Sequence, residues 1–272
     1  MTFRNYLSHK FNLKTNFNLK KYELYIKQLK EIGATEIEHA GRRLSNIQKQ
    51  RKNDVIKILH DNGLKAILYT GPFGKDKNEK YAQRDKNNKP LSLMCPSSNY
   101  IKDILLPELF DVMENYDGIF FDMPWVDKRG CYCNNCGGKP DVQNALEKIT
   151  NSLDINLSIN SGAPKIHNVH PEAHITKLNN FDEYVTEWNP YRWNQPVSII
   201  KNSITFAKEL TNKKIYHATT VTDRNGNILS NDKLSSLFKH IYGAGATPRL
   251  GIGFNEKGLK LIGKALFENN YI

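Results

Sequence analysis

Three cysteines within six residues, Cys131, Cys133 and Cys136, follow an aspartate, Asp122, that ends the apolar run Gly118-Ile119-Phe120-Phe121. The two features point to different chemistry. Thiolates at C-x-C-x₂-C spacing can reach one tetrahedral Zn²⁺, with Cys95, the fourth cysteine, available from a neighbouring loop to complete a Cys₄ set. Disulfides are the competing use of four cysteines, but a bridge across C-x-C is strained. The C-x₃-C-x₂-C spacing of a radical iron–sulfur site is absent. Asp122 has its own bland alternative, a turn residue or helix N-cap. Against that, Pro124 follows closely, the next helical pattern starts only at Val142, and Phe120 and Phe121 would desolvate the carboxyl. An acid in that setting is a candidate for catalysis. His167, His170 and His174 also have ligand-like spacing, in a loop with Pro171.

The elements that must position these groups alternate along the chain. Helical apolar spacing covers Leu19 to Ile32 and stops at Gly33, a helix-ending signal. A second helix covers Asp54 to His60 before Gly63, a third Tyr100 to Glu114 with Pro107 as a kink or restart, and others Val142 to Leu153, Val197 to Leu210, Leu234 to Tyr242 and Gly258 to Phe267. Between them lie apolar runs of strand length: 34–40, 65–70, 118–122, 155–160, 184–188, 215–221 and 247–254, with an eighth expected in 4–10. A polar loop is expected from Gly71 to Cys95. Buried parallel strands alternating with amphipathic helices, with no break in composition, imply one (β/α)₈ TIM barrel over residues 1–272. An open doubly wound sheet is the runner-up, but no glycine-rich phosphate fingerprint follows the first strand.

In such a barrel the C-terminal strand ends meet at one mouth, which gathers the candidate residues. Strand two brings Glu38 and His39, strand three Tyr69, strand four Asp122 with Trp125 just beyond, strand five Asn160, strand six Glu187 and Trp188, and strand seven His217. Two carboxylates among rings and amides suit carbohydrate chemistry. Glycosidases need one carboxyl to protonate the leaving oxygen and another to attack or to activate water. Trp188, Trp125 and Tyr69 could stack on sugar faces, and Asn160 could bind hydroxyls. The other readings are a non-catalytic carbohydrate-binding barrel, a metal-dependent hydrolase using His39, Asp122 and His217, and a basic polymer binder.

The last reading comes from the net charge of +11. The lysines are spread along the chain, and their densest patches, Lys10 to Lys30 and Lys75 to Lys89, are rich in Asn, so nucleic acid is not the expected partner. With 39% hydrophobic residues the chain can bury a sizeable core, yet no apolar run approaches a membrane span. The N-terminal MTFRNYLSHKF lacks the apolar centre of a signal peptide, so a cytoplasmic protein is expected. Nothing in the sequence fixes the oligomeric state.

The segment YAQRDKNNKPLSLMCPSSNYIKDILLPELFDVMENYDGIFFDMPW, followed by CYCNNC, resembles the catalytic-barrel core of hypothetical glycosyl hydrolases related to α-L-fucosidases and β-galactosidase-like barrels. The resemblance covers Ala34 to Cys136 well and the rest through the order of elements. It implies an O-glycosyl hydrolase, with the strand-four acid Asp122 as nucleophile and the strand-six acid Glu187 as acid/base. The bacterial zinc β-galactosidases carry one upstream cysteine and three in the loop after strand four, an arrangement that Cys95, Cys131, Cys133 and Cys136 match. In those enzymes the strand-four acid is a proton donor preceded by Asn, where this chain has Phe121.

Overall fold

Parallel pairing carries the chain round a closed ring of eight strands: β1 (Thr2–Asn5), β2 (Glu36–Ala40), β3 (Lys65–Thr70), β4 (Gly118–Phe121), β5 (Asn156–Asn160), β6 (Glu183–Glu187), β7 (Lys214–Thr220) and β8 (Thr247–Ile252), with β8 beside β1. The fold is therefore the expected (β/α)₈ barrel. The computed structural model describes residues 2–5, 18–42, 44–74, 79–122, 130–160, 181–252 and 256–272. Around the ring stand α1 (Leu19–Glu31), α2 (Asn46–Asp61), α3 (Leu106–Val112), α4 (Val142–Thr150), the single turn α5 (Pro190–Trp193), α6 (Ile199–Leu210), α7 (Asn231–Gly243) and α8 (Glu256–Glu268).

Local chemistry explains where these elements begin and end. The Asn18 side chain accepts from the Lys21 backbone N–H at 3.0 Å and starts α1. Gly33 follows its end at φ +83, a conformation that favours glycine. Helix α2 starts eight residues earlier than its apolar spacing predicts. A Ser45/Gln48 capping box fixes that start, and the first two turns carry mostly polar residues. Pro107 does restart a helix: a π-helical turn, Ile101–Leu105, passes directly into α3 with Pro107 in the first turn. The polar stretch before Cys95 is not all loop, because Ala82–Arg84 and Pro90–Met94 pair as an antiparallel hairpin.

Each strand presents alternate residues to two cores. The outward set, including Leu68, Ile119, Phe121, Leu157, Ile159 and Leu250, packs with the helices into one large cluster. Full burial of one such Leu or Ile contributes about 1.5–3 kcal/mol, so this layer holds the barrel together. The inward set is small: Ile67, Phe120, Val185, Tyr216 and Ala218, with Tyr69 above them. Polar groups complete the interior. Arg249 and Glu38, both buried, form an ion pair across it. The Arg249 guanidinium lies 3.9 Å from the Phe120 ring centre and 3.4 Å from Ser158 Oγ.

Candidate active site

The inward parity that places Phe120 and Ser158 in the barrel interior places the residues two further along at its C-terminal end. Asp122 follows Phe120, Asn160 follows Ser158, and Glu187 follows Val185 in the same way. These three meet. Asn160 Nδ2 lies 2.7 Å from Asp122 Oδ1 and 2.9 Å from Glu187 Oε2, so one amide nitrogen gives a hydrogen to each carboxylate. A carbonyl oxygen cannot sit between two carboxylate oxygens, which fixes the amide's orientation chemically. The gap between those two oxygens cannot exceed the sum of the two bonds. That bound falls close to the roughly 5–5.5 Å of retaining pairs and short of the roughly 6.5 Å at which inverting pairs begin.

Each acid is held from a second side. The Tyr69 hydroxyl donates to Asp122 Oδ2, and the Tyr69 ring packs on Phe120 at 5.7 Å. Asn189 Nδ2 donates to Glu187 Oε1 at 3.1 Å, while Asn189 Oδ1 accepts from the Thr220 backbone N–H at 2.7 Å. Asp122 and Asn160 are buried and Glu187 is half-buried, so the pair runs from the wall towards solvent. Asn189 was absent from the sequence-based set. Its signal was its place beside Glu187 and before Pro190, where the short helix α5 starts.

Tyr69, Asp122, Asn160 and Glu187 are therefore brought together, and four other candidates are not. Glu38 is fully buried below the mouth in its ion pair with Arg249. His39 has the opposite parity to Glu38 and points into the helix layer, where its Nε2 lies 3.0 Å from the Tyr22 hydroxyl. His217 also points outward, its Nδ1 2.7 Å from Thr186 Oγ1. Burial lowers the pKa of both imidazoles to about 3, so both are neutral near pH 7. Because both rings face the helix layer and Asp122 faces the mouth, the reading that joined His39 and His217 to Asp122 in a metal-dependent hydrolase is overturned. Trp188 is buried in the outer core, edge-on to Trp193 at 5.0 Å, and cannot stack on a sugar. Trp125 and the histidines 167, 170 and 174 lie outside the described residues.

The four cysteines also converge. All four sulfurs lie within 4.8 Å of one another, with Cys95 3.4 Å from Cys133 and Cys133 3.2 Å from Cys136. A tetrahedron of Zn–S bonds has edges of about 3.8 Å, so the set fits one zinc ion. The backbone already forms the tight turn such a site needs: Gly137 N–H donates to Cys133 O and Gly138 N–H to Cys131 O. Tyr132 N–H, bonded to Arg84 O, ties the turn to the hairpin. Without a cation these thiols titrate apart. Hydrogen bonding from Cys95 lowers Cys131 to about 5, whereas burial pushes Cys136 up to about 12 and hydrogen bonding to Cys131 raises Cys95 well above the usual thiol range. This is the only His/Cys/Asp/Glu group among the described residues arranged to hold a metal ion.

No helix among the described residues is long and apolar enough to cross a membrane. No family model and no curated protein matches the chain. Among solved structures it is similar to a glycoside hydrolase family 5 enzyme from Prevotella bryantii B14 bound to a xyloglucan tetradecasaccharide. The two share 11% identity over 96% of this chain and 89% of that one, at a TM-score of 0.58. A broad-specificity endoglucanase from Clostridium cellulovorans gives 10% identity, 98% and 93% coverage and a TM-score of 0.59. The D-psicose 3-epimerase of Clostridium cellulolyticum H10 gives 14%, 100% and 99%, and 0.52. At these identities the likeness is one of fold: a (β/α)₈ barrel.

Proposed function

We propose that the chain is an O-glycosyl hydrolase acting on an oligo- or polysaccharide with retention at the anomeric carbon. The observation that carries this reading is the Asn160 amide shared by Asp122 and Glu187, which keeps one oxygen of each carboxyl within reach of a single nitrogen, as a closely spaced retaining pair requires. Asp122, deeper and fixed by Tyr69 and Asn160, attacks the anomeric carbon. Glu187, nearer solvent, gives its proton to the departing glycosidic oxygen as that carbon–oxygen bond breaks. The product is a glycosyl ester on Asp122. Glu187 then takes a proton from water, whose oxygen attacks the anomeric carbon and frees Asp122.

Cys95, Cys131, Cys133 and Cys136 hold one structural zinc in this reading. It supplies a cross-link between the hairpin side and the loop after β4, and no step of the reaction. Purified, reduced protein is expected to contain one zinc per chain by elemental analysis, and Cys133→Ser to lose both zinc and several degrees of melting temperature. Zinc-free wild-type protein would remove the assignment.

Activity is tested with a glycoside panel on wild type and Asp122→Asn. Turnover should fall by at least about 10³-fold in the variant. Azide should restore Asp122→Gly with an inverted glycosyl azide and Glu187→Ala with a retained one. Undiminished turnover by Asp122→Asn on a confirmed substrate overturns the reading. Sugar epimerisation is a second reading, favoured by full-length superposition on the D-psicose 3-epimerase and by the ability of paired carboxyls to remove and return a proton. It predicts solvent deuterium at a sugar carbon and no bond cleavage.

A further inference from the structure

The outer wall of the barrel carries a second concavity, whose lining includes neither Asp122 nor Glu187. A cavity of about 720 Å³ runs between the segment that opens α3 and the length of α4, with Cys136 in its wall. That volume lies within the roughly 300–1,000 Å³ of small-molecule sites. From Asp141 to Ser152 the wall follows α4 and its ends, about 16 Å at 1.5 Å per residue. The cavity is thus long enough for a short oligosaccharide.

Its chemistry is one-sided. Lys102, Lys139 and Lys148 all line it, and none is ion-paired with a described carboxylate. The one carboxylate in the lining, Asp141, accepts from the Asn144 backbone N–H at 3.0 Å as the cap of α4. The Asp141 backbone N–H donates to Ser97 Oγ at 3.1 Å, which leaves the Ser97 hydroxyl proton free to donate to a ligand. Three ammonium groups, the Ser97 hydroxyl and the side-chain amides of Asn99, Asn135 and Asn144 suit a ligand carrying both negative charge and hydroxyl groups. No aromatic ring lines the cavity among the described residues. A neutral glycan would lack a stacking platform there, and a single-stranded nucleic acid would lack a surface for its bases.

We propose that this groove binds an anionic saccharide, a short glycan segment bearing carboxylate or sulfate groups. The site does not rest on the glycosidase reading, because neither Asp122 nor Glu187 is among its lining residues. It gives part of the +11 charge a specific use.

Calorimetric titration of the metal-loaded full chain, carrying Asp122→Asn to prevent turnover, tests this with galacturonate and chondroitin-sulfate hexamers. At least one should bind, the tighter of the two identifying the anion. Lys102→Gln/Lys139→Gln/Lys148→Gln should weaken that binding by about tenfold or more, and the single change Lys139→Gln by a smaller factor. Raising NaCl from about 50 to about 500 mM should weaken binding by the Asp122→Asn parent in the same direction. Four results overturn the proposal: binding of neither hexamer, equal affinity in the Asp122→Asn parent and in the triple and single lysine variants made on it, equal binding of a methyl-esterified galacturonate hexamer, or tighter lysine-dependent binding of a single-stranded oligonucleotide. Because the readout is binding to an already inactive variant, its failure leaves the assignment of Asp122 and Glu187 untouched.

Discussion

Two groups of charged side chains occupy the same barrel interior one pleat apart, and the barrel accommodates them in opposite ways. In the lower one, Glu38 is matched by Arg249, whose guanidinium is covered by the Phe120 and Tyr216 rings and approaches Ser158 Oγ. In the upper one, Asp122 and Glu187 are brought to the same amide, so two acids share one donor group on Asn160. Neutralised charge deep in a core is a structural arrangement. Two acids that share one amide at a mouth form a pairing suited to moving protons or bonds. The difference teaches that burial of a carboxylate is not itself the mark of a site. What sits opposite it decides.

The sharpest break of this comparison exchanges the expected phenotypes. Asp122→Asn should lower turnover by at least about 10³-fold while leaving the melting temperature within a few degrees of wild type. Glu38→Gln should do the reverse. It leaves Arg249 buried without its counter-charge, which costs about 3–5 kcal/mol, and activity per folded molecule should persist. Denaturant titration beside a turnover assay reads both. The double change Glu38→Met/Arg249→Met should recover most of the lost stability, because it removes both charges together. If Glu38→Gln is instead stable and inactive, the lower group belongs to the chemistry and the division fails.

Asn160→Leu probes the upper group alone. It removes both donors between the acids, and their spacing is then no longer set. A misplacement of about 1 Å is enough to cost about 10²-fold, so a fall in kcat of that size is expected, with KM changed much less. Asn189→Ala should act in the same direction by a smaller factor, since it frees only the outer oxygen of Glu187. An Asn160→Leu enzyme with full kcat would mean that the shared amide positions nothing.

The contrast also explains what the sequence could and could not tell. The alternation of apolar runs with amphipathic helices is readable because it comes from burial, and Lys65–Thr70 has the same bounds in sequence and structure. The cysteine set is readable because ligand spacing is local except for Cys95. Parity is not readable. A strand buried on both faces shows no polar alternation, so Glu38 and His39, or Glu187 and Trp188, look equally suited to the mouth. Of these four only Glu187 reaches the mouth, since His39 and Trp188 face the helices and Glu38 lies a layer too deep. Asp122, Asn160 and Glu187 share the inward parity, a relation visible only once the register Phe121↔Ile159 and Asn160↔Val185 is known. One signal was available: an arginine within the apolar run TPRLGIGF needs a buried counter-charge, and Glu38 on β2 is that partner.

The smallest expected effect sharpens the distinction between the inward acids and the outward imidazoles. His39 and His217 are buried, and burial depresses both to about 3 from an ordinary value near 6.5. In the unfolded chain each takes up a proton below about pH 6.5, whereas in the native protein each stays neutral down to about pH 3. The unfolded state therefore binds more protons across that window, and stability falls as pH falls through it. The slope is roughly 1.4 kcal/mol per pH unit for each histidine once it is fully protonated in the unfolded chain. Above about pH 6.5 neither state is charged and the contribution vanishes. Denaturant titrations at several values between pH 7 and 4.5 should show this slope, and His39→Gln should remove about half of the histidine contribution. Relative activity of the folded fraction should be the same in His39→Gln and wild type at each pH. If His39→Gln instead moves the acid limb of the activity profile and leaves stability unchanged, His39 would have to reach the mouth, and the separation of inward and outward residues on β2 would be wrong.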